Sequence, residues 1–249
     1  MNQHTPMLAP FKTGWYSFGL WSYRPCKATY CLYPYESIPP LPTAQFTGVF
    51  QWLEPLDEDI DRKMQRYRTP KEEALWTNDI DQLAHTARQL GLSLPESFTR
   101  FMASPELQDR VPSCTDCHFF LPETIVPCPG SQDGYLVRFL DDQQFVLLWY
   151  LYLTRQGKHC VLAAHPRFHD LAEAPEYAEP FKSEQEKQKA LKKVYVCAPS
   201  FEAFLYRFWI ENTIWYHLYL RKPLTEEQKR YLSHYKPVGP NAHLLENQW

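Results

Sequence analysis

GYLVRFLDDQQFVLLWYLYLTRQGKHCVLAA, residues 134–164, is the stretch that decides the fold. Its first part, 134–140, alternates, so that Tyr135, Val137 and Phe139 share one face, as in a half-buried strand. The second part, FVLLWYLYL (145–153), is apolar on both faces, as a strand covered on both sides requires. Between them DDQQ is polar enough to turn the chain. RQGK (155–158) supplies a second turn, and HCVLAA (159–164) a third strand. The economical arrangement is an antiparallel meander.

Toward the C-terminus, 170–193 is charged and reads as a loop or an exposed helix, and VYVCAP (194–199) as a short strand. Ser200 suits the N-cap of a helix over 201–220, because its hydroxyl can accept from an otherwise unpaired amide of the first turn. That helix carries Phe201, Phe204, Leu205, Phe208, Trp209, Tyr216 and Tyr219 along one broad face. A last helix spans 225–235, with Thr225 and Gln228 at capping-box spacing.

Toward the N-terminus, Trp76, Ile80, Leu83, Ala84, Ala87 and Leu90 form one stripe at helical spacing over 72–90, and Gly91 suits the left-handed residue that ends it. LPESFTRFM (94–102) opens a short helix with Pro95 in its first turn, Phe98, Phe101 and Met102 on one face, and Pro105 as its stop. QFTGVFQWL (45–53) reads as a strand. The acidic run Glu54–Asp61 and the basic run Arg62–Lys71 read as a solvated helix face or loop. Residues 1–42 are rich in aromatics and proline and predict short strands interrupted by Pro34, Pro39, Pro40 and Pro42. The organisation expected is an N-terminal extension, 1–71, followed by an α+β domain, 72–249.

The net charge of −3 over 249 residues lacks the basic footprint that displaces counterions from a polyanion. It therefore points away from nucleic acid and leaves a basic protein partner possible without demanding one. The longest apolar run, Phe145–Leu153, is far short of the ~20 residues of a membrane span. MNQHTPMLAPFKTG has no basic segment followed by an apolar one. Seven cysteines, an odd number, do not read as a disulfide framework, and a reducing cytoplasm is expected.

The sharpest local pattern is Cys114-Thr115-Asp116-Cys117-His118, which has the spacing of haem attachment but stands in a chain with no export signal. Cys114, Cys117, His118 and Cys128 together offer a zinc alternative, although no second pair of ligands is present. Otherwise the thiols read as packed side chains, and no cofactor is expected. The chain contains no metalloprotease helix, nucleophile elbow or phosphate loop. Asp141, Asp142, Gln143 and Gln144, at the tip between two strands, read as turn chemistry or as a contact with a partner.

The order of these pieces resembles the SUKH superfamily, which includes yeast cell-wall synthesis regulators and bacterial immunity proteins. The resemblance covers about residues 72–220 and rests on Leu94-Pro95, Phe98, Phe101, the strand residue Trp149, and the helix opening Ser200, Phe201 and Phe204. It implies helices packed on a mixed, mostly antiparallel sheet, and no enzymatic activity. It further implies an immunity-type protein that binds and neutralises a toxin, or alternatively a regulatory adaptor. A metal protein or enzyme built on Cys114, Cys117 and His118 is the remaining alternative.

Overall fold

The computed structural model describes residues 9–65, 73–172, 181 and 183–235. The elements run β1 (Lys12–Thr13), β2 (Trp15–Ser17), β3 (Cys31–Tyr33), α1 (Glu58–Met64), α2 (Glu73–Gln89), α3 (Glu96–Met102) and α4 (Pro105–Asp109). They continue with β4 (His118–Phe119), β5 (Val126–Pro127), β6 (Gly134–Asp141), β7 (Leu148–Thr154), β8 (His159–Ala164), α5 (Pro166–Ala172), α6 (Glu184–Leu191), β9 (Val194–Ala198), α7 (Phe201–Tyr219) and α8 (Glu226–Leu232). The expected meander is β6–β7–β8. It sits at the centre of a seven-stranded sheet ordered β1-β9-β8-β7-β6-β4, with β5 also on β6. Only the β1–β9 pairing is parallel. The fold is α+β, with a mixed, mostly antiparallel sheet and helices against it.

Strand alternation divides the core in two. In β7, Trp149, Leu151 and Leu153 enter one cluster, with α2, α3, α7 and α8; Leu148, Tyr150 and Tyr152 enter the other, under α5 and α6. All seven residues of β7 are buried, which is why both of its faces had to be apolar. A β-bulge between Arg138 and Leu140 shifts the register of β6 against β7. It lets Phe139 and Leu140 both join the α7 cluster, where strict alternation would have sent one of them to the opposite face.

Several local readings hold. α2 buries Ile80, Leu83 and Ala87. It ends at Gly91, whose φ is +72°, with the Leu92 amide returning to the Ala87 carbonyl as in a Schellman-type end. Ser200 caps α7 through the Ala203 amide, and Thr225 and Gln228 form the capping box of α8. The charged run around 58–64 is the exposed helix α1, pinned by the buried Ile60. Other readings need correction. Pro95 is the N-cap of α3 instead of a first-turn residue. α3 ends at Met102, ahead of Pro105, but Pro105 also opens the next helix, because Ser104 caps α4 and proline needs no amide partner there. Residues 170–193, read as a loop or an exposed helix, hold the end of α5 and the helix α6, with 173–180 and 182 outside the described residues; α5 itself begins earlier, at Pro166.

The larger correction concerns residues 9–53. The stretch 45–53 is not a strand: Gly48 and Phe50 have φ of +79° and +57°, and short turns satisfy the amides of Leu53 and Glu54. The loop is held instead by the buried Glu202 carboxylate, which accepts from the Gly48 amide (2.8 Å) and the Trp52 indole (3.0 Å). Nor do residues 9–53 stand apart from the domain core. β1 pairs with β9, and Trp15, Phe18, Leu20, Ile38, Phe50, Trp52 and Leu53 share one cluster with α7 and the sheet.

Polar side chains of α7 hold this N-terminal part. The fully buried Glu211 accepts from the Trp15 indole (2.8 Å), the Ser17 hydroxyl, both terminal nitrogens of Arg24 and the Tyr231 hydroxyl (2.6 Å). Burial pushes its carboxyl up, but Arg24, Arg207 and Ser17 together outweigh that and hold it below its ordinary value. Arg207 donates to the Tyr231 hydroxyl (2.9 Å) and the Pro39 carbonyl (2.8 Å). Breaking such a pair from one side leaves a charge buried and unpaired. Glu211→Ala is therefore expected to lower unfolding free energy by about 3–5 kcal/mol in urea titrations, and Arg24→Met/Glu211→Leu to recover most of that loss.

Candidate functional site

The polar tip expected at 141–144 is the β6–β7 hairpin loop, but its two aspartates face inward. Asp141 is still in β6, is buried, and pairs with Arg138 at 2.9 Å. Asp142 closes the loop: its amide donates to the Leu147 carbonyl (3.1 Å) and its carbonyl accepts from the Phe145 amide (2.8 Å). The Asp142 carboxylate, also buried, accepts from the amides of Gln144 (3.0 Å) and Val146 (3.4 Å). These are the local bonds for which aspartate is favoured in turns. The acidity of the tip is thus spent inside the protein, where both carboxylates are buried and bonded internally. What the tip presents to solvent is Gln143, Gln144, Phe145 and Val146. Phe145 and Val146 are 38% and 40% exposed.

Sequence reasoning placed Phe145 and Val146 in the strand and missed their exposure. Phe145 takes φ of +57°, a conformation bulky residues rarely adopt, and this turns its ring out of the strand direction. The ring is held from both sides, edge-to-face with His169 of α5 (5.2 Å) and beneath the Arg138 guanidinium (5.7 Å). Arg138 also lies over Phe120 (4.8 Å). No local signal separates Phe145 from the strand that follows it.

Beneath the tip, the Tyr30 hydroxyl donates to the second Asp142 oxygen (2.6 Å) and lies 2.8 Å from the Thr115 hydroxyl and 3.4 Å from the Cys117 sulfur. Burial, with Cys117 and Asp142 beside it, pushes the Tyr30 hydroxyl well above its ordinary range, so it serves as a neutral donor. Its ring stands edge-on to Trp149 at 6.0 Å. Tyr30 is separated from Asp142 by 112 residues, and nothing in the sequence signals the contact.

The Cys114–Cys117 turn is tied to α7 and to Ser113. The Cys114 amide donates to Asn212 Oδ1 (2.7 Å) and the Cys117 amide to Ser113 Oγ (2.8 Å). The Tyr216 hydroxyl donates to the Ser113 carbonyl (3.0 Å). Burial raises Cys117 to about 11 despite hydrogen bonds from Thr115, Tyr30 and Ser113, so at neutral pH it is a thiol and not a nucleophilic thiolate. Cys114 is pushed up by burial and by Cys117. The four residues offered as zinc ligands are not brought together. Cys114 and Cys117 pack on the α7 side of the sheet, Cys128 is in the opposite cluster, and His118 is exposed on β4. Among the described residues no group of three or more His, Cys, Asp or Glu is arranged to hold a metal ion.

The cysteines differ from expectation in a second respect. Cys26 and Cys31 form a disulfide, while Cys114, Cys117, Cys128, Cys160 and Cys197 are free. The short loop between the pair brings their Cα atoms to 5.8 Å, within the range a disulfide spans. The expectation of reduced thiols throughout is therefore corrected. Among the described residues no helix is long and apolar enough to cross a membrane.

No family model, no curated protein and no solved structure matches the chain.

Asp116 sits in this turn with φ of +54°, and burial together with Asp142 raises its carboxyl above the ordinary value. A raised carboxyl destabilises the folded state where it is ionised, and the penalty fades as pH falls toward the unfolded value. Asn tolerates the left-handed conformation and carries no charge. Asp116→Asn is expected to raise the melting temperature at pH 7 by about 2 °C. The gain should shrink as pH falls toward about 3.9, as followed by thermal melts across pH.

Proposed function

We propose that the chain is a non-enzymatic protein-binding module, an immunity-type protein that binds and neutralises a toxin by covering its working surface. The observation that carries this reading is the β6–β7 tip: an apolar pair, Phe145 and Val146, held outward on a buried aspartate anchor. An apolar side chain kept in water is useful where a partner buries it. Completing the burial of two such partly exposed groups is worth about 1 kcal/mol each. The tip is pre-ordered by Asp142, so little conformational entropy remains to be lost on binding. Gln143 and Gln144 beside it provide donors and acceptors for a polar rim. The resemblance to SUKH immunity proteins supports the same class of partner, and the overall charge of −3 is compatible with a basic enzyme as target.

Phe145→Gly separates the contact from the fold, because glycine takes the positive φ at no cost. The measurement is calorimetric titration against the product of an adjacent toxin gene, together with survival of cells expressing that toxin. The wild-type chain is expected to bind and protect. The variant should bind at least about tenfold more weakly, a loss of ~1.4 kcal/mol, with an unchanged or higher melting temperature. An encoded neighbouring toxin that is neither bound nor neutralised overturns the proposal, and so does an affinity indifferent to Phe145.

A further inference from the structure

The anchor of the tip is itself tied to the Cys26–Cys31 disulfide. Tyr30, which donates to Asp142, is the last residue inside the loop closed by Cys26 and Cys31. The two ends of that loop are firmly placed. Cys31 opposes Ser17 across the β2–β3 ladder. Cys26 follows Arg24, which is buried on Glu211. Between the ends, Lys27, Ala28 and Thr29 are exposed, and Tyr30 alone turns inward to the Thr115, Cys117 and Asp142 cluster. Both cysteines are only partly buried, and Pro25 and Leu32 beside them are exposed. A reductant can therefore reach the disulfide without unfolding the core. By contrast, Cys128, Cys160 and Cys197 are buried, and Cys117 lies under the Tyr30 hydroxyl.

We propose that the Cys26–Cys31 disulfide is a redox-operated latch on the β6–β7 tip, closed when oxidised and released on reduction. A dithiol of the thioredoxin class delivers two electrons and two protons. The Cys26–Cys31 sulfur–sulfur bond breaks to give two thiols, and the reductant leaves as its own disulfide. The β2–β3 ladder and Arg24 still place the two flanks, but the bond that joins them is gone, and the entropy regained by 26–30 opposes the Tyr30–Asp142 bond. Loss of that donor leaves the Asp142 carboxylate with only the Gln144 and Val146 amides, and the tip loosens. Release also uncovers the Cys117 sulfur, which supplies a built-in reporter. This regulation rests on the tip being the contact surface, but its readout needs no partner.

The test uses the full chain, oxidised or treated with reduced thioredoxin, followed by pulse alkylation with N-ethylmaleimide and by amide hydrogen exchange, both resolved by mass spectrometry. Reduction is expected to raise labelling of Cys117 about tenfold and to speed exchange at Gln144 and Val146, with the amides of α7 unchanged. Cys26→Ser/Cys31→Ser should reproduce that state without reductant. Tyr30→Phe should speed exchange at the tip with the disulfide intact. Unchanged labelling and tip exchange after reduction overturn the latch. So does exchange that accelerates equally in α7, because the disulfide would then merely stabilise the whole fold. A latch that works in a chain that binds no toxin refutes the proposed function alone, whereas toxin binding with an unresponsive tip refutes the latch alone.

Discussion

The buried carboxylate of Glu211 is the constraint on which the rest of this structure depends. A carboxylate in an apolar interior is costly unless charge and hydrogen bonds meet it on every side. Here Arg24 supplies the charge, while Trp15, Ser17 and Tyr231 supply further donors. The segment around 15–24 lies nearly 200 residues from the helix that carries Glu211, while Tyr231 comes from the next helix, α8. The charge therefore specifies one arrangement among the many that would bury the same aromatic surface. A purely apolar interface of equal area would hold these segments as strongly and orient them less.

The same device recurs along α7. Glu202 holds the loop at 48–52, Arg207 the carbonyl of Pro39, Asn212 the turn at Cys114, and Tyr216 the carbonyl of Ser113. One face of the helix fills the core with Phe201, Phe204 and Phe208. Its remaining surface presents polar groups to backbone amides and carbonyls that have no ladder or helix of their own, which is how buried irregular segments avoid unsatisfied groups. A proline-rich stretch that cannot form regular structure is thereby made part of a rigid body. The surface tip at 143–146 depends on this order at one remove, through the Ser113–Cys117 turn and Tyr30.

The candidate site was half legible. A turn at DDQQ followed from its composition, and the hairpin is there. The chemistry within it was inverted, because an aspartate at a turn satisfies local amides as readily as it faces solvent, and composition does not say which. Tyr30 chose the direction for Asp142, Arg138 for Asp141. Phe145 and Val146 were unreadable for a different reason. They continue an apolar run, and only the closure of the loop between Asp142 and Leu147 removes them from the strand.

What the sequence determined by itself was local. Side-chain period set the three central strands. A run apolar on both faces set the central position of β7, and cap chemistry at Gly91, Ser200 and Thr225 set helix ends, because each is decided by interactions within a few residues. What only the tertiary structure decided was everything joined across long separations. Such contacts are the β1–β9 pairing, the 112-residue reach of Tyr30 to Asp142, and the burial of Glu211 on Arg24. A charged or polar residue reads as surface in a sequence, since burial is costly for it alone. It becomes core only when a partner elsewhere in the chain offsets that cost, and the identity of that partner is a property of the fold.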